Sequence, residues 1–219
     1  MKALNMRQNE KKGKLITFCG LDGCGKTTMI NRLTADLEND YAVFLTKQPT
    51  DFVRKSDIFR TYMDCPDHDA YDYRSLSLLA ASDRLQHVNK VIGPALEEGK
   101  IVLSDRYFYS CLANLRARGF RCDKWIYEIA ESVTKPSAAS DVYKRQAFFF
   151  DVPVRVAVKR VRSRAAEKNR YIDMELQYKL RKEYVEICKA NDGILISTQA
   201  PEEQCYSIVK QTVERMINK

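Results

Sequence analysis

Residues 20–28 read G-L-D-G-C-G-K-T-T and match the pattern G-x-x-x-x-G-K-[ST]. An apolar run at residues 15–19 precedes this segment and an amphipathic run follows it, which is the strand, loop and helix order of a phosphate-binding loop. Glycines allow successive backbone N–H groups to face an anion, and the next helix adds the partial positive charge of its N-terminus. We therefore predict a socket for a nucleotide polyphosphate, with an ordinary glycine-rich turn as the alternative. The predicted socket residues are Gly20, Asp22, Gly23, Cys24, Gly25, Lys26, Thr27 and Thr28.

Three side chains carry the chemistry expected of such a loop. Lys26 would reach the outer phosphates as a point charge, and the Thr27 hydroxyl would ligate Mg²⁺. Further along the chain, the apolar run 101–104 leads directly into Asp105. An acidic residue at the end of an apolar strand, downstream of a phosphate loop, is typical of the second Mg²⁺-side carboxylate, so we predict that Thr27 and Asp105 share the metal.

Composition excludes several other classes of protein. The 219 residues are 45% hydrophobic and 30% charged, which fits one globular domain. No apolar run approaches the ~20 residues of a membrane span and no signal peptide is recognisable, so we expect a cytoplasmic protein. Seven cysteines, without a C-x-x-C pair, indicate reduced thiols. The net charge of +8 is concentrated in residues 1–14 and 159–170, which argues against a nucleic-acid-binding groove.

Strand and helix patterns alternate along the chain. Apolar runs predict five strands, at residues 15–19, 41–46, 100–104, 147–151 and 194–196. Helical patterns follow the phosphate loop and occupy 51–63, 71–92 (where Gly93-Pro94 kinks or ends the helix), 108–118, 123–133, the segment from 154, and segments around 180–188 and 205–216. The alternation predicts an α/β fold, with a five-stranded parallel sheet and helices on both faces, in one domain over residues 14–219. Residues 1–13 are polar and lack periodicity, so a disordered tail is expected there.

Residues 137–146 do not fit the surrounding pattern. They read S-A-A-S-D-V-Y-K-R-Q and resemble the translated read-through of a widely used transposase sequencing adapter. We interpret them as an artefact segment and predict an exposed, poorly packed excursion before the strand at 147–151. An ordinary polar loop is the alternative.

Two further motifs accompany the phosphate loop. Residues 105–107 read D-R-Y and residues 78–86 read L-L-A-A-S-D-R-L-Q. With the G-x-D-G-x-G-K-T-T loop, and in this order, the chain resembles the thymidylate kinase family of P-loop nucleoside monophosphate kinases from about residue 14 to its end. The resemblance implies a three-layer P-loop fold, a homodimer, and ATP-dependent phosphorylation of a deoxynucleoside monophosphate, usually dTMP.

The resemblance also assigns roles to residues. Arg106 is expected at the acceptor phosphate, Arg84 at the acceptor base, and Asp22 at the acceptor sugar or in the metal shell, although structural ion pairs are the alternative for these residues. The basic stretch at about 160–172 is similar to the family's lid. Members place a transition-state arginine in the phosphate loop or in the lid, and Gly23 occupies the loop position here. The lid candidates are Arg162, Arg164 and Arg170.

The base pocket departs from the family pattern. Ala80 stands where an aromatic residue is common, Asn114 and Leu115 replace the usual Tyr and Gln, and Gln48 replaces an acidic residue. We predict that Gln48, Ala80 and Asn114 line the acceptor site. Phosphorylation of another deoxynucleotide or of a nucleoside, or a nucleotide-binding regulatory module without acceptor turnover, are the alternatives.

Overall fold

A computed structural model describes residues 2–65, 70–121, 124–133, 135–137, 147–168 and 170–218. Its strands are β1 (Lys14–Gly20), β2 (Val43–Lys47), β3 (Ile101–Asp105), β4 (Phe148–Asp151) and β5 (Ile194–Ser197). Its helices are α1 (Lys26–Leu37), α2 (Asp51–Arg54), α3 (Asp57–Asp64), α4 (Tyr73–His87), α5 (Gly93–Glu97), α6 (Phe108–Ala117), α7 (Trp125–Ala130), α8 (Val154–Arg162), α9 (Met174–Ala190) and α10 (Glu202–Ile217).

The five strands form one parallel sheet in the order β2-β3-β1-β4-β5. The buried side chains of the central strand β1 are apolar except for Thr17, and the Phe18 ring stacks on Phe148 with centroids 5.5 Å apart. Helices α1 and α10 contact each other and β1, while α6 and α9 form a second pair against β1. The predicted α/β fold is confirmed. Within the described ranges, no helix is both long enough and apolar enough to cross a membrane.

Two predicted helices have different boundaries in the structure. The helix expected at 51–63 is two helices, because the Ser56 side chain accepts a hydrogen bond from the Phe59 N–H and starts α3 anew. The helix expected to kink or end at Gly93-Pro94 instead continues from α4 through one π-helical turn (Val88–Ile92) into α5. Pro94 is tolerated because it stands in the first turn of α5, where a backbone N–H is dispensable.

The expected disordered tail is wrong for the residues that the structure describes. Leu4 and Met6 are buried against the core, and the Leu4 N–H donates to Asn191 Oδ1 at 2.8 Å. The backbone of Arg7 pairs with Val133 and Lys135. Because the segment is mostly polar, its composition did not indicate that these two apolar residues are buried. Their burial holds the segment against the domain.

The predicted excursion at 137–146 is described only at its first residue. Ser137 is buried, its N–H donates to the Leu15 carbonyl at 2.8 Å and its hydroxyl accepts from the Leu15 N–H at 2.9 Å. Ser137 is therefore well packed, contrary to the expectation for this position. Residues 138–146 lie outside the described part of the chain.

Candidate active site

The phosphate loop connects β1 to α1 with three backbone positions at positive φ. Gly20, Gly23 and Gly25 have φ of 138°, 80° and 95°, and Gly25 caps the N-terminus of α1. Such φ values favour glycine because it lacks a Cβ. The Lys26 side chain lies inside the loop, where its Nζ donates to the Leu21 carbonyl at 2.8 Å. Thr27 is exposed in the first turn of α1 and lines the cleft described below. Its neighbour Thr28 is also exposed.

Gly23 lies against helix α8. A Cβ built at Gly23 would stand 2.3 Å from the Ala157 carbonyl oxygen, far inside van der Waals contact. Any side chain at this position would require α8 to move. An arginine at this position would therefore not fit beside α8 as it is placed here.

The end of β3 brings Asp105 and Arg106 to the same edge of the sheet as the loop. Arg106 has φ of 68°, an uncommon conformation for a residue other than glycine. Its guanidinium donates to the Gly20 carbonyl at 3.1 Å, to the Tyr184 hydroxyl at 2.9 Å and to Asp22 Oδ1 at 2.5 Å. The strained backbone thus aims Arg106 across the mouth of the phosphate loop.

Asp22 is an anion surrounded by cations. Arg170 approaches it from the predicted lid, with Nη2 3.1 Å from Oδ2, and Arg106 pairs with its other oxygen. Burial alone would raise the pKa of the Asp22 carboxyl, but Arg106, Lys26 and Arg170 together hold that pKa well below its usual range. Burial lowers the pKa of Arg106 while Tyr184, Asp22 and Asp105 raise it, and the net pKa is raised.

The three lid candidates lie in different places. Arg164 and Arg170 line the main cleft, between α8 and the start of α9. Arg162 lines a separate surface depression with Arg155 and Met174. The structure therefore places two of the three arginines in the cleft wall, with Arg170 in contact with Asp22, and leaves Arg162 outside the cleft.

Arg84 is the most buried cation on the acceptor side. Only 4% of the residue is exposed, its Nη1 donates to the Ala80 carbonyl at 3.1 Å, and its Nε is buried without a hydrogen-bond partner among the described residues. Ala80 and Asn114 line the same cleft. Gln48 does not line it: the residue is fully buried, and its Nε2 lies 3.1 Å from His87 Nδ1. The expected acceptor contact of Gln48 is thus absent from the described cleft wall.

Arg54 is a cleft residue that the sequence did not reveal. Its Nε donates to the Pro49 carbonyl at 2.7 Å, which holds the side chain against the cleft next to Arg106. Burial lowers the pKa of Arg54, and the nearby charge of Arg106 lowers it further. Two crowded guanidinium groups favour an anionic ligand between them. In the sequence, Arg54 was only one polar position within a presumed long helix.

The side-chain oxygens of Asp105 and Thr27 are suited to binding Mg²⁺. Asp105 Oδ1 is buried and has no hydrogen-bond partner among the described residues. A buried carboxylate oxygen without a donor is suited to a cation or to a cation's water. The exposed Thr27 at the start of α1 supplies a second oxygen, so this pair of residues fits the ion.

One cleft of about 680 Å³ is lined by the phosphate loop, Asp105, Arg106, Arg54, Arg84, Arg164 and Arg170. It extends from the phosphate loop past Arg106, Arg54 and Arg84 to a distal end formed by α3, α4 and α6. The distal end contains Tyr62, Tyr73 and Arg118, which sequence reasoning also missed. This volume is in the range of clefts that hold nucleotide-sized ligands.

Comparison with known proteins agrees with this arrangement. A family model described as thymidylate kinase matches residues 18–209. The chain is 36% identical over 180 residues to the "probable thymidylate kinase" of Thermococcus kodakarensis, covering 80% of this chain and 83% of that protein. It is 32% identical over 203 residues to the thymidylate kinase of a Geobacillus species, covering 90% and 94%. Because the family model covers most of the chain and both relatives are more than 30% identical to it, the chain belongs to the thymidylate kinase family.

Proposed function

We propose that this chain transfers the γ-phosphoryl group of ATP to dTMP, giving dTDP. The observation that carries the proposal is the convergence of donor-side and acceptor-side cations in one cleft. Lys26 lies in the phosphate loop, while Arg54, Arg84 and Arg106 line the wall beside it. Phosphoryl transfer depends chiefly on positioning two phosphates and neutralising their charge, which this arrangement supplies.

The donor phosphates are held by the loop. Its backbone N–H groups and Lys26 bind the β- and γ-phosphates of ATP once Lys26 leaves the Leu21 carbonyl. Thr27 and Asp105 hold Mg²⁺, which when bound neutralises charge on the phosphate oxygens. The loop residues Gly20, Asp22, Gly23, Cys24, Gly25 and Thr28 shape the socket.

The acceptor phosphate is held by the cations beside Asp22. Arg106 and Arg54 flank its place, and Arg84 lines the same cleft, where its guanidinium can contact the base. Asp22 keeps the forks of Arg106 and Arg170 oriented. Arg170 is our candidate for the arginine that neutralises charge in the transition state, with Arg164 beside it, because both line the cleft from the lid at about 160–172.

The family resemblance also leads us to propose a cytoplasmic homodimer. Leu78 on α4 and Val91 on the π-helical turn after it are exposed apolar side chains that a second copy could cover. Size-exclusion chromatography with light scattering measures the mass in solution. A monomer at micromolar concentration would contradict the dimer and leave the reaction untouched.

An acceptor panel tests the reaction. Wild-type protein with ATP and Mg²⁺ is assayed for ADP formation with each deoxynucleoside monophosphate, each ribonucleoside monophosphate and thymidine. We expect turnover to be fastest with dTMP. Lys26→Ala removes the cation of the loop and should abolish turnover, whereas Lys179→Ala, an exposed lysine paired with Glu175 on α9, should retain it.

Each alternative has its own outcome in this panel. Faster turnover with another monophosphate or with a nucleoside would show that this molecule, and not dTMP, is the preferred acceptor. Ala80 and Asn114, where the chain departs from the family pattern, are the reason for testing these molecules. Tight ATP binding without acceptor-stimulated ADP formation would favour a regulatory module. That last result would overturn the proposed phosphoryl transfer.

A further inference from the structure

The distal end of the cleft contains a cluster of three planar groups, Tyr62, Tyr73 and Arg118, here called the Arg118 cluster. The Arg118 guanidinium carbon lies 3.9 Å from the Tyr73 ring centroid and 4.7 Å from the Tyr62 ring centroid. The two ring centroids are 5.0 Å apart, and the ring planes are tilted by 55° to each other. A guanidinium sandwiched between two rings would separate their centroids by roughly 7 Å or more, at about 3.5–4.0 Å per layer. Arg118 therefore lies on one side of both rings, and its other face is not covered by either of them.

Hydrogen bonds fix the plane of this guanidinium. Its Nε donates to the Tyr62 hydroxyl, and its Nη1 donates to Asn114 Oδ1 at 2.9 Å and to the Asn114 carbonyl at 3.1 Å. Burial raises the pKa of Tyr62 to about 12, so its hydroxyl stays protonated. An arginine anchored in this way is a preorganised flat surface, since its rotamer is fixed before any ligand arrives.

Residues of α4 and α6 line the cleft between the phosphate loop and the Arg118 cluster. On α4, residues Tyr73, Ser77, Ala80 and Arg84 line the cleft at the spacing of one helix face. On α6 and its C-cap, Ser110, Cys111, Asn114 and Arg118 do the same. Tyr73 and Arg84 are about 16 Å apart along α4 at 1.5 Å per residue. Leu76, Ser77 and Ala80 line the cleft between them, and the side chains of Ser77 and Ala80 are small. This length of cleft wall leaves room for a flat ligand between Arg84 and the Arg118 cluster.

We propose that the base of the acceptor nucleotide packs on the cleft-facing side of Arg118, so that the Arg118 guanidinium, held by Tyr62 and Tyr73, is the base platform of this chain. The proposal rests on the proposed function. Bases stack on guanidinium planes as well as on aromatic rings, and this contact replaces the aromatic face that is missing at Ala80. Arg118 is accordingly a specificity-determining residue at the end of the cleft opposite the phosphates.

Steady-state kinetics with dTMP test the platform. Arg118→Ala should raise KM for dTMP about 10-fold or more, the range expected for loss of a base stack, with kcat at saturating dTMP and KM for ATP unchanged. Arg118→Lys keeps the charge and loses the plane, so it should show the same rise. Arg32→Ala is the matched control, because the Arg32 guanidinium also lies over a tyrosine ring, 4.1 Å from the centroid of Tyr206, and neither residue lines the cleft. It should leave all three constants unchanged.

A ligand without a base separates stacking from general damage. 2-Deoxyribose 5-phosphate should inhibit wild type and Arg118→Ala with the same inhibition constant, since it has nothing to stack. Equal KM for dTMP in wild type and Arg118→Ala, wild-type KM in Arg118→Lys, or parallel weakening of the base-free ligand would overturn the platform. Absence of dTMP turnover in the wild type would instead overturn the proposed function, and the platform with it.

Discussion

At the scale of single residues, the position of Arg170 is the most informative about catalysis. It reaches Asp22 from the proposed lid and lines the cleft, whereas Arg162 lines a different depression. We expect Arg170→Ala to lower kcat by roughly 10³-fold, as loss of a transition-state arginine does. Arg162→Ala should have a far smaller effect. Both are measured as ADP release at saturating ATP and dTMP, and equal losses in the two variants would contradict the assignment of Arg170.

Asp22 gives a second prediction at this scale, in the pH dependence of stability. Its pKa is held well below the usual value in the folded chain, so its ion pairs contribute fully above the unfolded pKa of about 4 and are lost as pH falls further. In Asp22→Asn, the free energy of unfolding should decline less steeply below pH 4. Urea denaturation between pH 3 and 7 measures this decline. Asp40→Asn, which removes an exposed carboxylate, should leave the wild-type slope unchanged.

At the scale of elements, the contact between the phosphate loop and α8 makes Gly23 indispensable. Gly23→Ala incurs both the cost of a positive φ and a clash with the Ala157 carbonyl. Gly119→Ala is a matched control, because its φ is 92° and an added Cβ would meet nothing within 4 Å. The control should lose about 1–2 kcal/mol of unfolding free energy. Gly23→Ala should lose more and should also raise KM for ATP. Equal losses of unfolding free energy in the two variants, measured by denaturant melts, would show that α8 moves away from the added Cβ without destabilising the fold.

Elements also explain which features could be predicted from the sequence. The loop, the strands and the Asp105-Arg106 pair are local signals, since apolar runs and glycine spacing are read within a few residues. The π-helical turn after α4 does not change the apolar spacing enough to be recognised in the sequence. The helix break at Ser56 depends on the hydrogen bond that its side chain accepts from the Phe59 N–H, which only the structure shows. Tyr62, Tyr73 and Arg118 come from three separate elements, so only tertiary packing places them together.

At the scale of the whole molecule, the candidate site and the N-terminal segment lie at opposite edges of the sheet. All five strands are parallel, so their carboxyl ends share the edge that carries the phosphate loop and Arg106. The N-terminal segment enters at the amino end of β1 and packs near the starts of the other strands, where Gly13 donates to the Leu96 carbonyl. Changes in that segment should therefore alter stability without altering the cleft.

The two apolar anchors of the N-terminal segment test this separation. Leu4 and Met6 are 6% and 5% exposed, so the double variant Leu4→Ala/Met6→Ala should lower the free energy of unfolding by about 3–6 kcal/mol, at about 1.5–3 kcal/mol for each buried side chain. Below its unfolding temperature the variant should keep the wild-type KM for ATP and dTMP, because the lost contacts lie at the amino ends of the strands. Asn5→Ala/Gln8→Ala, which alters two exposed residues of the same segment, should leave stability unchanged. Denaturant melts paired with kinetics on the same preparations measure both quantities. Unaltered stability in the Leu4→Ala/Met6→Ala variant would mean that the N-terminal segment does not contribute to the core. A raised KM would mean that the segment affects the geometry of the cleft.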